Sequence, residues 1–95
     1  MNSTATRILN RLNREFEPHE FLFVPAVRKE KWGIPSVIPQ DEGKGYYKIL
    51  LDGKESGAIY DDWALEDIRL QAPEVDTEDM LEEMILGHFT QKLVN

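Results

Sequence analysis

The chain of 95 residues contains no cysteine. That absence excludes disulfides, thiolate nucleophiles and sulfur-ligated metal sites together. No apolar run approaches the ~18 residues that cross a bilayer, so no membrane partner is expected. The opening Met1-Asn2-Ser3-Thr4-Ala5-Thr6-Arg7 lacks the apolar core of a secretory signal, and a cytoplasmic location is expected. Asn2-Ser3-Thr4 spells a glycosylation triplet, which has no consequence without a secretory route. Histidine is scarce: His19 and His88 share no metal-ligand spacing. His88 is expected as a partly buried core residue and His19 as a surface one.

Signatures of catalysis are missing as well. Neither Ser36 nor Ser56 sits in a G-x-S-x-G elbow. Gly43-Lys44-Gly45 lacks the glycine spacing and the Ser/Thr that a phosphate loop needs, and reads as a plain loop before a strand. Asp61, Asp62, Glu66 and Asp67 lie close together but do not follow the calcium-loop pattern. No enzyme, cofactor or metal is expected on these grounds.

What is present is charge, mostly of one sign. The net charge is −7, with 31% charged residues. Residues 1–31 hold six basic groups against four acidic ones, whereas residues 61–83 hold ten acidic groups against Arg69 alone. Such asymmetry bears on partners and association rates, not on fold.

The pattern predicts one α+β domain over residues 1–95: an N-terminal helix, a small antiparallel sheet of three to four strands with a central hairpin, and a C-terminal amphipathic helix. The first helix is expected over 3–17, capped by Ser3 or Thr4 and stopped by Pro18. Ile8, Leu9, Leu12 and Phe16 recur at helical spacing, with Arg7, Arg11 and Arg14 as a basic stripe. Residues 20–29 read as a strand, placed at a sheet edge or bulged by Pro25. Ser36-Val37-Ile38 reads as a short edge strand. Residues 46–51 and 56–60 flank Asp52-Gly53, a dipeptide suited to a tight hairpin turn. A uniform register would set Tyr47 opposite Ala58, Ile49 opposite Ser56 and Tyr46 opposite Ile59. Residues 61–71 read as a short helix or turn, with a final strand Asp67-Ile68-Arg69-Leu70 as the alternative. Residues 76–93 predict a helix capped by Asp76, with Leu81, Met84, Ile85, His88, Phe89 and Leu93 on one face and Glu78, Asp79, Glu82 and Glu83 on much of the other. Gly87 interrupts this helix and is expected to permit close packing on the sheet.

The run from Tyr46 to Leu70, strand, Asp-Gly turn, strand, acidic turn and Ile-Arg-Leu, resembles part of an SH3-like barrel. The resemblance implies a binding or assembly module, with Tyr46, Tyr60 and Trp63 as an aromatic platform for an extended segment. In size and charge the chain resembles small phage-encoded inhibitors of host enzymes. That resemblance implies a DNA mimic, competing for a basic site that normally holds nucleic acid.

The leading expectation is a non-enzymatic inhibitor or regulator that docks an acidic helical face on a basic protein partner. Asp61, Asp62, Glu66, Asp67, Asp76, Glu78, Asp79, Glu82 and Glu83 would supply the charge. Trp63, and Trp32 beside it in kind, would be anchors, since interface hot spots favour tryptophan. Direct nucleic-acid binding is not expected of a chain this acidic, and the Arg7/Arg11/Arg14 stripe is read as pairing with carboxylates of the last helix or of a second copy in a homodimer. A small enzyme built on carboxylates or His88 is the remaining alternative.

Overall fold

The structure, a computed structural model, describes residues 1–27 and 45–94. The predicted strand Ser36-Val37-Ile38, residues 28–29 of the first predicted strand, and Trp32 lie outside the described residues. The elements run α1 (Ser3–Glu15), β1 (Phe21–Pro25), β2 (Tyr46–Leu51), β3 (Lys54–Asp61), α2 (Trp63–Gln71) and α3 (Thr77–Val94). The α+β expectation is met, with an open antiparallel sheet of three strands in the order β1-β2-β3 among the described residues. The chain gathers into two compact units, Met1–Asp61 and Asp62–Asn95.

In the first unit, α1 is capped by Asn2, one residue before the expected Ser3 or Thr4. Its side chain accepts from the Ala5 N–H at 2.8 Å, which satisfies a donor that the first helical turn leaves open. The buried Tyr60 hydroxyl donates to the same oxygen at 3.5 Å, tying the helix start to β3. Ala5, Ile8 and Leu12 are buried along one face. The helix ends at Glu15, two residues short of the expected limit, and the Phe16 N–H closes it on the Leu12 carbonyl at 3.2 Å.

Strand β1 is an edge strand, one of the two placements expected from Pro25, paired only with β2 among the described residues. Its outer side is occupied at Phe21 by the Asn13 side chain. The Phe21 N–H donates to Asn13 Oδ1 at 2.7 Å, and Asn13 Nδ2 donates to the Phe21 carbonyl at 3.2 Å. One amide thus stands in for a neighbouring strand, and Pro25 contributes no N–H further along. An edge blocked in this way resists pairing with a foreign chain.

The hairpin forms where expected, with Asp52 and Gly53 at φ of 53° and 82°, the positive values a two-residue turn of this hand requires. The register holds near the turn, Leu51 opposite Lys54 and Leu50 opposite Glu55, and then departs from the uniform one. Beyond the break, Lys48 faces Ile59, Tyr47 faces Tyr60 and Tyr46 faces Asp61, each two residues further along β3 than predicted. Gly57, at φ 86°, supplies the left-handed backbone of this bulge. The Ser56 hydroxyl donates to the Ile49 carbonyl at 2.6 Å and accepts from the Ala58 N–H at 3.2 Å, so the bulge is held by a side chain where the ladder is interrupted. A two-residue shift preserves the alternation of faces. Phe23, Tyr47 and Tyr60 therefore share the inner face, with ring centres 5.7 to 6.0 Å apart.

The turn is also clamped to the start of β1. The Glu20 N–H donates to Asp52 Oδ1 at 2.9 Å, the His19 ring nitrogen Nδ1 hydrogen-bonds Asp52 Oδ2 at 2.7 Å, and the Asp52 N–H donates to the Glu20 carbonyl at 2.8 Å. The backbone bond from Glu20, and then the bond to His19, hold the Asp52 carboxyl below its ordinary 3.8. A carboxyl whose folded value is depressed contributes fully above its unfolded value, and the contribution fades as pH falls through the folded one. Asparagine tolerates the positive φ of this position. The variant Asp52→Asn is therefore expected to keep the turn, to be less stable near neutral pH, and to lose less stability than the parent on acidification below about pH 3.8. Urea midpoints measured on both sides of that pH check this; parallel acid limbs for parent and variant would contradict it.

In the second unit, α2 follows Asp62 as a helix, so Asp67-Ile68-Arg69-Leu70 is not a strand. That removes the last strand of the SH3-like reading, and the sheet is open, not a barrel, among the described residues. Helix α3 is capped as predicted: the Glu78 and Asp79 N–H groups both donate to Asp76 Oδ1 at 3.1 Å. Leu81, Ile85, Leu86 and Phe89 are buried. Met84 and His88, expected on this face, are exposed instead, and Leu86 takes their place. Gly87 is exposed too, with nothing described within 4 Å of where a side-chain carbon would stand. No helix among the described residues is long and apolar enough to cross a membrane.

Candidate protein-interaction surface

The boundary between the two units is also a boundary of charge. Residues 1–61 carry nine basic and nine acidic groups and are neutral overall. Residues 62–95 carry nine acidic groups against Arg69 and Lys92, so the whole net charge of −7 belongs to the second unit.

Both elements of that unit present their charge on helices. In α2 no residue is buried. Trp63 opens it half-exposed, followed by exposed Glu66 and Asp67. Arg69 reaches back to Glu66 at 2.9 Å, an exposed pair of the kind that contributes little to stability. The cap Asp76 and, within α3, Glu78, Asp79 and Glu83 are exposed, with Glu78 and Asp79 in the first turn, where the helix dipole favours anions.

Of the residues expected to carry recognition, the structure brings Asp62, Trp63, Glu66, Asp67, Asp76, Glu78, Asp79 and Glu83 to the surface of one unit, Asp62 being half-buried. Asp61 ends β3 opposite Tyr46 and belongs to the first unit. Glu82 departs from the expectation: it is 3% exposed and is not part of an open acidic face. No buried side-chain nitrogen or oxygen among the described residues lacks a hydrogen-bond partner, so this burial is compensated. Within α1, Arg11 has an ion pair at 3.3 Å with Glu15.

The aromatic platform does not assemble. Tyr60 is fully buried on the inner face of the sheet, while Tyr46 lies on the opposite face. That outer face holds a groove of about 860 Å³ lined by Val24, Val27, Tyr46, Leu50 and the Lys48–Glu55 ion pair, among others. His88 is not among its lining residues; its ring stands edge-on to Phe89 at 5.0 Å. No group of three or more His, Asp or Glu suited to a metal ion occurs among the described residues.

Reading the sequence missed the exposed methionines of α3. Asp76, Met80, Met84 and His88 recur at i, i+4, i+8 and i+12, a second stripe beside the buried one, and this spacing was the signal available. Comparison with protein-family models, with curated proteins and with solved structures finds no match to this chain.

Proposed function

We propose that this chain is a non-catalytic interaction protein of the cytoplasm, an inhibitor or regulator that docks the acidic helices of residues 62–95 on a basic site of a partner protein. The observation that carries the reading is the segregation of charge: one unit is neutral and the other holds the full −7. A charge so concentrated steers a basic partner from beyond contact distance and discourages wrong ones. Exposed carboxylates along a helix are also suited to a groove that otherwise holds nucleic acid, which makes a DNA mimic the specific form of the proposal. Trp63, half-exposed at the start of α2, supplies the aromatic anchor.

The test is affinity capture from the native host with the full chain immobilised. The comparison variant carries Asp76→Asn, Glu78→Gln, Asp79→Asn and Glu83→Gln, and asparagine at 76 keeps the helix cap. A second variant removes exposed charge from the first unit by Glu17→Gln and Glu20→Gln. The parent and the second variant are expected to retain the same basic protein at low salt and release it as salt rises, and the four-site variant to retain none. Capture that persists in the four-site variant, or that ignores salt, would overturn the proposal.

A further inference from the structure

Helix α3 carries two apolar stripes, and the fold buries only one. Leu81, Ile85 and Phe89 are 5%, 7% and 0% exposed, whereas Met80 and Met84 are 38% and 58% exposed. The two methionines are spaced i and i+4, so their side chains lie one above the other on one face. Beside them Asp79 and Glu83 form a parallel exposed line at the same spacing, and Asp76 precedes Met80 by one turn.

Gly87 continues the acidic line. A side-chain carbon built there meets nothing described within 4 Å, so packing among the described residues does not require glycine. Glycine inside a helix costs about 1 kcal/mol against alanine. What the missing side chain provides is room for an approaching surface to come close to the helix backbone.

We propose that this face binds a Lys/Arg-rich amphipathic helix, with the apolar edge of that helix on Met80 and Met84 and its cations on Asp76, Asp79 and Glu83. The inference rests on the acidic docking reading and names the chemistry of the partner. A purely polar basic surface would leave both methionines against water or charge. A purely apolar surface would strip water from three exposed carboxylates and set no polar group in its place. A nucleic-acid backbone would be repelled. A surface that sets cations beside apolar groups at helical spacing satisfies both lines at once. Methionine suits this role, since its unbranched, polarizable side chain adapts to helices of differing shape.

The experiment uses the full chain with isotope-labelled methionine methyl groups. The chain has three methionines, so the spectrum holds signals for Met80 and Met84 and an internal reference at Met1. The probes are a synthetic leucine–lysine peptide with helical repeat and an oligolysine of equal charge. The leucine–lysine peptide is expected to move the Met80 and Met84 signals saturably, to leave Met1 in place, and to bind at least about tenfold more tightly than oligolysine. The double variant Met80→Gln, Met84→Gln should bind the two probes alike. Equal binding of both probes to the parent, with unmoved methionine signals, would overturn this inference and leave acidic docking standing. Peptide binding that survives Asp76→Asn, Asp79→Asn and Glu83→Gln would overturn the assignment of a basic occupant. Failure of both probes to bind at low salt would remove the acidic docking reading as well.

Discussion

The variant Phe89→Ala is expected to lose most of the stability of residues 62–95. Phe89 is fully buried on α3. Truncating a buried phenylalanine removes its transfer free energy and leaves a cavity, at a cost of about 3–5 kcal/mol. A small chain has little margin to absorb such a loss: about 5–15 kcal/mol is typical of a whole domain, and short chains bury proportionately less surface. Each kcal/mol corresponds to about 4–8 °C at this size, so thermal unfolding should move by more than about 10 °C. Met84→Ala on the same helix is the control. Met84 is exposed, and its truncation should change stability by no more than about 0.5 kcal/mol. Calorimetry of the two variants separates the buried stripe from the open one. Equal losses at both positions would mean that α3 is turned differently from the structure described.

The variant Asn13→Ala is expected to have the second largest effect. One side-chain amide satisfies both the N–H and the carbonyl of Phe21, whose ring is buried in the first unit. Alanine leaves both backbone groups without these partners in a partly buried setting, at a cost of about 2 kcal/mol or more. It also uncovers the outer edge of β1, so the variant should self-associate as concentration rises. Hydrogen exchange at the Phe21 amide should accelerate markedly in the variant. An amide as protected as in the parent, in a variant of unchanged stability, would show that Asn13 does not hold the edge.

These two residues also mark where sequence reading succeeds and where it stops. The aromatic and aliphatic run Tyr46–Leu51, the Asp52-Gly53 dipeptide and the cap at Asp76 are local signals, and each produced the expected element. Pro25 left β1 either an edge or a bulge, because a missing N–H is a local fact, and the edge is what forms among the described residues. The bond of Asn13 to Phe21 is not local: nothing in the neighbourhood of Asn13 says which strand its amide meets. The break in register turned on Gly57, a glycine inside a strand run that signals a bulge but not how many residues it inserts. The orientation of α3 was ambiguous because Met80, Leu81, Met84, Ile85, Leu86 and Phe89 spread around the helix. Only packing decides which of two overlapping stripes is buried. Glu82 was misplaced for the same reason, since turning the stripe toward Leu86 carried it inside.

For the candidate surface, exposure of Asp76, Glu78, Asp79 and Glu83 was legible from their place in the first turns of a capped helix. The confinement of the net charge to one unit was not, because the unit boundary after Asp61 has no composition mark of its own. Trp63 remained in view as predicted, while Tyr60 is buried on the face of Tyr47, a face the two share in the uniform and the bulged register alike.

The most direct measurement of the central claim is the binding constant between this chain and its captured partner as a function of salt, for the parent and for the variant neutralised at Asp76, Glu78, Asp79 and Glu83. Recognition through the charged unit predicts a constant that falls steeply between about 50 and 200 mM salt, and a clearly shallower fall for the variant. Two flat curves, or two steep curves that coincide, would contradict it.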